Sequence, residues 1–261
     1  MSSIDAPSSI VPPRAIQRPI VIVGLAALAA LALVLVPGLG LLSYPFRLLI
    51  TIVHELSHGL VALLTGGAFL RFVVFPNGEG VAYTAGGWRL LVIPAGYLGS
   101  ALFGASLIQL GRSVRWSRAA MAVLGTAVLL LSLRYGLPSI ATVQWSSGVI
   151  TVVAGLAIGF GFLWVARKAT TAWVLFLTNL VAIQAGLTAF SDLFALIDLL
   201  SRLAGAPAND ARAMSELTHV PALVWAVLWA VVALALIGAA LWRTWLAPKP
   251  LVSSSSIEPV R

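Results

Sequence analysis

The sequence predicts an all-α polytopic membrane protein with about six to seven transmembrane helices and a short β-hairpin after the second helix. Hydrophobic residues make up 60% of the 261 positions and charged residues only 9%, whereas charged residues supply about a quarter of a soluble globular chain. Several apolar runs reach the roughly 20 residues that cross a bilayer as a helix. β-forming residues on both sides of a turn signal interrupt this helical pattern between positions 68 and 87.

Composition also restricts the partners and the chemistry. The net charge is +8, but the arginines and lysines are scattered at the ends of apolar segments, where they suit contacts with lipid headgroups. They form no basic face, so the bilayer is an expected partner and nucleic acid is not. The chain has no cysteine, which excludes disulfides and thiolate metal sites. Any metal site must therefore use histidine and carboxylate side chains.

The apolar segments form one membrane-embedded domain over residues 20–246. Residues 1–19 are polar and rich in proline and are expected to form a flexible tail, and residues 247–261 are expected to form a disordered one. A polar loop at 201–219 precedes the last segment. The positive-inside rule gives nearly a tie between the two orientations, so the sequence leaves the orientation open. The segments are predicted at about 20–36, 44–64, 88–110, 119–133, 148–166, 171–200 and 221–245.

The stretch from 68 to 87 has the pattern of a β-hairpin. β-forming residues flank the turn signal Asn77-Gly78-Glu79-Gly80. Because open strands cannot satisfy their backbone groups in lipid, we expect the hairpin near the membrane surface or in a cavity lined by protein. An exposed edge there could pair with an extended peptide. A plain surface loop is the alternative.

The motif with the clearest chemistry is H-E-x-x-H, formed by His54, Glu55 and His58 within an apolar segment. Residues four apart lie on one face of a helix, so both imidazoles can bind one metal ion. Glu55 is placed to reach a water molecule on that metal, which suits a zinc hydrolase. Ionisable residues inside a membrane span are costly and usually functional. The alternative is a set of polar groups that hydrogen-bond to neighbouring helices.

A catalytic zinc site usually takes three protein ligands and keeps one position open, so a third ligand is expected from elsewhere. Asp192 and Asp198 are the other acidic residues within an apolar run, and on a helix they point about 120° apart. Asp192 ranks first because it lies deeper in the run, and Asp198 is the alternative. Asp210 ranks below both because the polar loop offers it water. His219 lies just before Pro221, where the last segment starts, and is interpreted as an interfacial residue.

Two amide side chains, Asn179 and Gln184, lie in the apolar segment that also carries Asp192. They are candidates for binding the substrate backbone or for supporting the metal ligands from a second layer. Hydrogen bonding between helices is the simpler explanation for both.

Three stretches together resemble the site-2-protease family of membrane zinc metallopeptidases, and most closely its compact bacterial branch. The first is the H-E-x-x-H motif with the Leu-Leu-Thr-Gly-Gly sequence that follows it. The second is the hairpin sequence, and the third begins the next apolar segment. In this chain they read His54-Glu-Leu-Ser-His-Gly59, Phe75-Pro-Asn-Gly-Glu-Gly-Val-Ala-Tyr-Thr84 and Pro94-Ala-Gly-Tyr-Leu-Gly-Ser100.

The resemblance implies that His54 and His58 bind Zn²⁺ and that Glu55 is the catalytic base. It also implies an aspartate ligand from a later span, often within an Asp-Gly pair, and this chain has no such pair. The implied activity is cleavage of membrane protein or peptide substrates by an integral protein of a bacterial cell membrane. A transporter or channel that uses the same side chains for ions is one alternative. A non-catalytic membrane protein that binds partners is the other.

Overall fold

The structure is a computed structural model that describes residues 14–36, 38–202 and 209–246, with the backbone alone for 14–20, 189–202 and 245–246. In this part of the chain, helices surround one two-stranded antiparallel sheet. The strands are β1 (Ala68–Val74) and β2 (Gly80–Ala85). The helices are α1 (Arg14–Leu35), α2 (Gly40–Leu64), α3 (Arg89–Val92), α4 (Ala95–Leu110), α5 (Val114–Leu131), α6 (Trp145–Lys168), α7 (Thr171–Arg202), α8 (Asp210–Thr218) and α9 (Ala222–Leu241).

The lengths and compositions of these helices confirm the predicted class of a polytopic helical membrane protein with a hairpin. Five helical stretches in the described part of the chain are long and apolar enough to cross a membrane, and two shorter apolar helices accompany them. The count agrees with the six to seven predicted spans. The five long stretches are Gly40–Leu64, Val114–Ala141, Trp145–Lys168, Thr171–Thr188 and Ala222–Thr244, and the shorter ones are Val21–Leu35 and Ala95–Leu110.

Besides shifts of a few residues at other segment ends, three features differ from the prediction. The first helix begins at Arg14 and not near residue 20, because hydropathy marks only the apolar part of a helix. The third segment is not continuous, since α3 ends at Val92 and α4 begins at Ala95. Pro94 lies at the break, where its missing N–H and its ring disfavour an uninterrupted helix. The polar loop contains a further helix, α8. Residues 14–19 of the predicted N-terminal tail therefore belong to α1, and the rest of the two predicted tails, 1–13 and 247–261, lies outside the described residues.

Small residues allow the helices to approach closely. A Cβ atom at Gly125 on α5 would lie 2.7 Å from the carbonyl oxygen of Gly159 on α6, and one at Gly104 on α4 would lie 3.4 Å from the Cβ atom of Ala185 on α7. In membranes such packing replaces the hydrophobic driving force between helices. Gly96 and Ser100 lie on the same stripe of α4 as Gly104, and Gly96 faces the site described below.

The predicted hairpin is present, and its register is set around a tight turn. Val74 pairs with Gly80 and Ala68 pairs with Ala85. The turn is closed by a hydrogen bond from the Phe75 N–H to the carbonyl oxygen of Glu79 at 2.8 Å. Gly78 has a φ of 84°, a conformation that glycine adopts without steric cost. The turn signal in the sequence therefore identified the correct residues.

Side chains from other elements form hydrogen bonds with the backbone groups along the outer edge of β1. The Thr151 Oγ1 of α6 accepts a hydrogen bond from the Val74 N–H at 2.7 Å. The Ser139 Oγ donates to the Phe72 carbonyl at 2.8 Å. All four residues are buried, so each bond satisfies a backbone group that water cannot reach. Strand β1 is therefore fixed to the helical bundle, which positions β2 on the other side of the hairpin.

Replacing Thr151 with valine is expected to lower the free energy of unfolding by about 1–3 kcal/mol. Valine keeps the shape of threonine but leaves the buried Val74 N–H without its acceptor, and a buried unpaired amide costs that much. Thermal unfolding of the purified protein in detergent measures the change. Thr126→Val is the control, because Thr126 is exposed in the middle of α5. Equal midpoints for the two variants would contradict the assigned role of the Thr151 hydroxyl.

Candidate metal centre

The H-E-x-x-H motif lies within α2, which positions both histidines on one face of the helix as predicted. The two imidazole rings lie 4.8 Å apart, centre to centre, in an edge-on arrangement. His58 is buried, whereas His54 keeps about a fifth of its side chain accessible. The helix is buried along this face by α4 and by the hairpin. The motif therefore faces the interior of the protein.

Asp210, the first residue of α8, completes a group of three possible ligands. Its Oδ2 lies 3.1 Å from the His54 Nε2 and 3.2 Å from the His58 Nε2. Nitrogen and oxygen ligands that surround zinc tetrahedrally, at 2.0–2.1 Å from the ion, are about 3.3 Å from one another. The two distances to Asp210 therefore match this spacing, and all three ligand atoms lie within 4.8 Å of one another. Among the described residues this is the group of histidine and acidic side chains that could hold a metal ion.

Gly96 provides the space between the two imidazoles. A Cβ atom at this position would lie 2.3 Å from the His54 Nε2 and 2.4 Å from the His58 Nε2. These distances are close to the length of a bond from zinc to a histidine nitrogen. A side chain at position 96 would therefore occupy the space that the ligand atoms surround. The missing Cβ atom and the chemistry of the three donors both fit a bound Zn²⁺ ion.

The orientation of each histidine is fixed by a different neighbour. The His58 Nδ1 lies 2.7 Å from the carbonyl oxygen of Val92, and in the neutral ring this nitrogen donates and leaves Nε2 free to bind a metal. The His54 ring packs edge-on against Tyr97 with centres 4.9 Å apart. Tyr97 in turn stacks on Trp229 of α9 at 5.7 Å. The break at Pro94 contributes here, because it brings Val92 and Tyr97 to the site from two separate helices.

Local sequence explains the position of Asp210. The Asn209 side chain caps α8 by accepting a hydrogen bond from the Arg212 N–H at 2.9 Å, an arrangement that strongly favours a helix start. Ala211 and Met214 of α8 are buried against α9. Burial raises the pKa of the Asp210 carboxyl, but the neighbouring imidazoles of His58 and His54 lower it by more. The net effect is a pKa well below its usual range. The carboxyl is therefore ionised, as a metal ligand must be.

Glu55 lies beside this group in a buried position. Only 5% of its surface is exposed, and the backbone of Ala82 on β2 lies near its carboxylate. A Cβ atom at Gly80 would lie 2.7 Å from the Glu55 Oε1. The hairpin therefore approaches closely enough to hold this carboxylate in one place, and glycine at position 80 permits that approach.

The sequence ranked the third ligand differently. Asp210 was placed below Asp192 and Asp198, yet it is the acidic residue that the described structure brings to the two histidines. The side chains of Asp192 and Asp198 lie outside the described residues, so their assignment as ligands stays a prediction. A sequence signal that could have favoured Asp210 is the preceding Asn209, a residue typical of helix N-caps. His219 is exposed at the end of α8, and its interfacial interpretation stays a prediction.

The two amides lie away from the histidines. The Asn179 Nδ2 donates to the carbonyl oxygen of Gly111 at 3.1 Å, at the end of α4 opposite Gly96. With a rise of 1.5 Å per residue, these two glycines are about 22 Å apart along the helix. The Gln184 Nε2 donates to the carbonyl oxygen of Ala30 at 3.4 Å. Both hydrogen bonds join different helices, which agrees with the simpler explanation that the sequence offered for these amides. A role of either amide in substrate binding stays a prediction.

Comparison with protein families identifies the class of protein that carries this site. A family model described as Peptidase M50B-like matches residues 24–240, which is most of the 261 residues. The chain belongs to the Peptidase M50B-like family. No curated protein and no solved structure is detectably similar to it. The family confirms the resemblance to site-2 proteases, and the membrane-capable helices agree with an integral membrane protein.

The Peptidase M50B-like match spans every element that contributes to the candidate site. It begins within α1 and ends within α9, so it includes the motif on α2, the hairpin, the start of α4 and Asp210. A membrane metallopeptidase family and a group of two histidines and one aspartate are therefore found together in this chain.

Proposed function

We propose that the chain is a zinc-dependent intramembrane endopeptidase that hydrolyses peptide bonds of membrane protein substrates. The observation that carries this proposal is the convergence of the His54 Nε2, the His58 Nε2 and the Asp210 Oδ2 beside the buried Glu55. Two imidazoles and one carboxylate leave an open position on a tetrahedral zinc ion, which is the arrangement of catalytic sites. The family supports the same chemistry.

Each residue of the site has a separate task in this proposal. His54, His58 and Asp210 hold the ion, and the Val92 carbonyl keeps the His58 proton on Nδ1. When bound, Zn²⁺ supplies Lewis-acid polarisation and an activated water with a pKa of about 7. The Glu55 carboxylate would accept a proton from the attacking water and would donate it to the nitrogen of the leaving amine. The close approach of Gly80 on β2 keeps Glu55 in position for both steps.

The hairpin supplies a place for the substrate backbone. In the described part of the chain the sheet has two strands, so no third strand covers the outer edge of β2. The edge of β1 is occupied by Thr151 and Ser139, whereas the edge of β2 lies beside Glu55. A substrate helix must unwind before its carbonyl can react, and an unwound segment can gain backbone hydrogen bonds by pairing with an exposed edge.

Replacing Glu55 with glutamine is expected to reduce cleavage by at least about 100-fold, because glutamine cannot accept the proton and general acid–base catalysis contributes about 10²–10⁴-fold. Zinc content is expected to stay at the wild-type value, since Glu55 is not among the three ligands. The test compares purified wild type and variant on membrane substrates, with zinc measured in the same samples. Glu216→Gln is the control, because Glu216 is exposed on α8. Undiminished cleavage by Glu55→Gln would rule out the proposed base.

A further inference from the structure

An arginine lies two helical turns before the metal-binding histidines, on the same face of α2. Arg47 and His54 are seven residues apart, which places them within about 20° of one another around the helix and about 10.5 Å apart along it. Thr51 lies between them on this face, and its Oγ1 donates to the carbonyl oxygen of Gly78 at 2.6 Å. The face therefore continues from the site, past the hairpin turn, to the guanidinium of Arg47.

Arg47 has no partner in the part of the chain that the structure describes. Its side chain is exposed and forms no ion pair or hydrogen bond there. Glu79, the acidic residue in the adjacent hairpin turn, accepts a hydrogen bond from the Asn77 side chain at 2.8 Å. It forms no ion pair with Arg47. Arg47 also belongs to a helix apolar enough to span the membrane. An ionisable residue in such a segment is costly and usually has a function.

The hairpin turn holds the Arg47 side chain against the protein. A Cβ atom at Gly78 would lie 2.8 Å from the Cδ and the Nε of Arg47, so the arginine crosses directly over this glycine. The Tyr44 hydroxyl donates to the carbonyl oxygen of Pro76 at 3.0 Å and fixes the turn from the preceding helical turn of α2. The arginine is thus positioned while its guanidinium stays available.

A groove of about 470 Å³ opens beside Arg47, between the end of α1, the start of α2 and the middle of α7. Leucine, valine and phenylalanine side chains make most of its wall, and Ser43, Gln184 and Thr188 add polar groups. A ligand that fills this groove needs an apolar body and one anionic group for the guanidinium. Arginine prefers carboxylate among protein groups, because its planar donors match the two carboxylate oxygens.

We propose that Arg47 binds an acidic side chain of the substrate about three residues from the scissile bond. An extended chain rises about 3.3 Å per residue, so three residues cover the distance along α2 from His54 to Arg47. The favoured substrate is therefore an unwound segment in which one Asp or Glu is followed or preceded by apolar residues that enter the groove. This inference rests on the proposed endopeptidase function, since it takes the metal as the position of the scissile bond.

Binding of matched peptides to the full-length Glu55→Gln protein tests this proposal without requiring turnover. The probes are apolar peptides that carry Glu, Gln or Lys three residues from the centre, and the protein is held in phosphatidylcholine nanodiscs with zinc. We expect the Glu peptide to bind about tenfold more tightly than the Gln peptide, which is the scale of one hydrogen bond to a charged group. Adding Arg47→Gln is expected to remove this preference, whereas Arg112→Gln, which changes an exposed arginine beyond the C-terminal end of α4, keeps it.

A charge-reversal variant distinguishes loss of the Arg47 contact from loss of the fold. With Arg47→Glu added, the Lys peptide is expected to bind more tightly than the Glu peptide. Equal affinities of the Glu and Gln peptides for the Arg47 protein would overturn the proposal, as would a preference that survives Arg47→Gln. A preference for the Glu peptide that depends on Arg47, combined with no cleavage by the wild type, would keep this inference and reject the endopeptidase. Binding of phosphatidylglycerol at Arg47 with no peptide preference would assign the groove to lipid instead.

Discussion

Replacing Gly96 with alanine is expected to abolish metal binding while the helical fold is retained. The new methyl group would lie 2.3 Å and 2.4 Å from the two histidine Nε2 atoms, within the space that the ion needs. Alanine favours a helix more than glycine does by about 1 kcal/mol, so α4 itself gains stability. Substitutions in the layer around a metal site already cost 10–100-fold in affinity, and we expect a loss of about 100-fold or more here.

Zinc content after dialysis against a weak chelator measures this effect, and circular dichroism reports whether the helices persist. Gly104→Ala is the matched control on the same helix, because a Cβ atom there would lie 3.4 Å from its nearest neighbour, the Cβ of Ala185, which is an ordinary contact. We expect this control to keep the zinc content of the wild type. A Gly96→Ala protein that binds a full equivalent of zinc would show that the ion does not lie between the imidazoles.

Replacing Asp210 with alanine is expected to weaken zinc binding by about 100-fold or more, since it removes one of three ligands and not merely a supporting group. Cleavage is expected to fall with zinc content and to recover in part when excess zinc is added. The structural reason is the position of the Oδ2, 3.1 Å and 3.2 Å from the two imidazole nitrogens. Metal titration of the purified variant gives the change in affinity.

Two further aspartate and glutamate variants make this result specific. Glu216→Ala changes an exposed acid on the same helix, α8, and is expected to bind zinc as the wild type does. Asp192→Ala tests the ligand that the sequence ranked first. If zinc is lost in Asp192→Ala and retained in Asp210→Ala, the assignment of the third ligand to Asp210 is wrong.

Hydropathy and turn chemistry predicted most of the fold. The helix that carries His54 and His58 has the length and composition of a membrane span, and glycine near position 66 ends it. The turn at Asn77 to Gly80 combines residues that favour tight hairpin turns, so the hairpin was found correctly. The division of the third segment at Pro94 was missed, although proline inside an apolar run is a known cause of such a break.

The candidate site was predictable only in part, because two of its three candidate ligands lie in one motif and the third lies elsewhere in the chain. The spacing of His54 and His58 fixes their mutual geometry within one helix. Asp210 lies 152 positions beyond His58 in the sequence. Its contact with the histidines is tertiary, and sequence periodicity does not predict such contacts. Ranking acids by their depth in an apolar run favoured Asp192. That criterion overlooks a short capped helix, which can bring a carboxylate from a polar stretch to the membrane-embedded histidines.

X-ray absorption at the zinc edge, combined with the zinc content of the purified full-length protein, tests the metal centre most directly. We predict about one zinc ion per chain in a four-coordinate shell of nitrogen and oxygen at 2.0–2.1 Å, with the scattering pattern of two imidazoles. The second imidazole signal is expected to disappear in His58→Ala. A wild-type protein that holds no zinc above background, or whose zinc shows fewer than two imidazoles, would contradict the account.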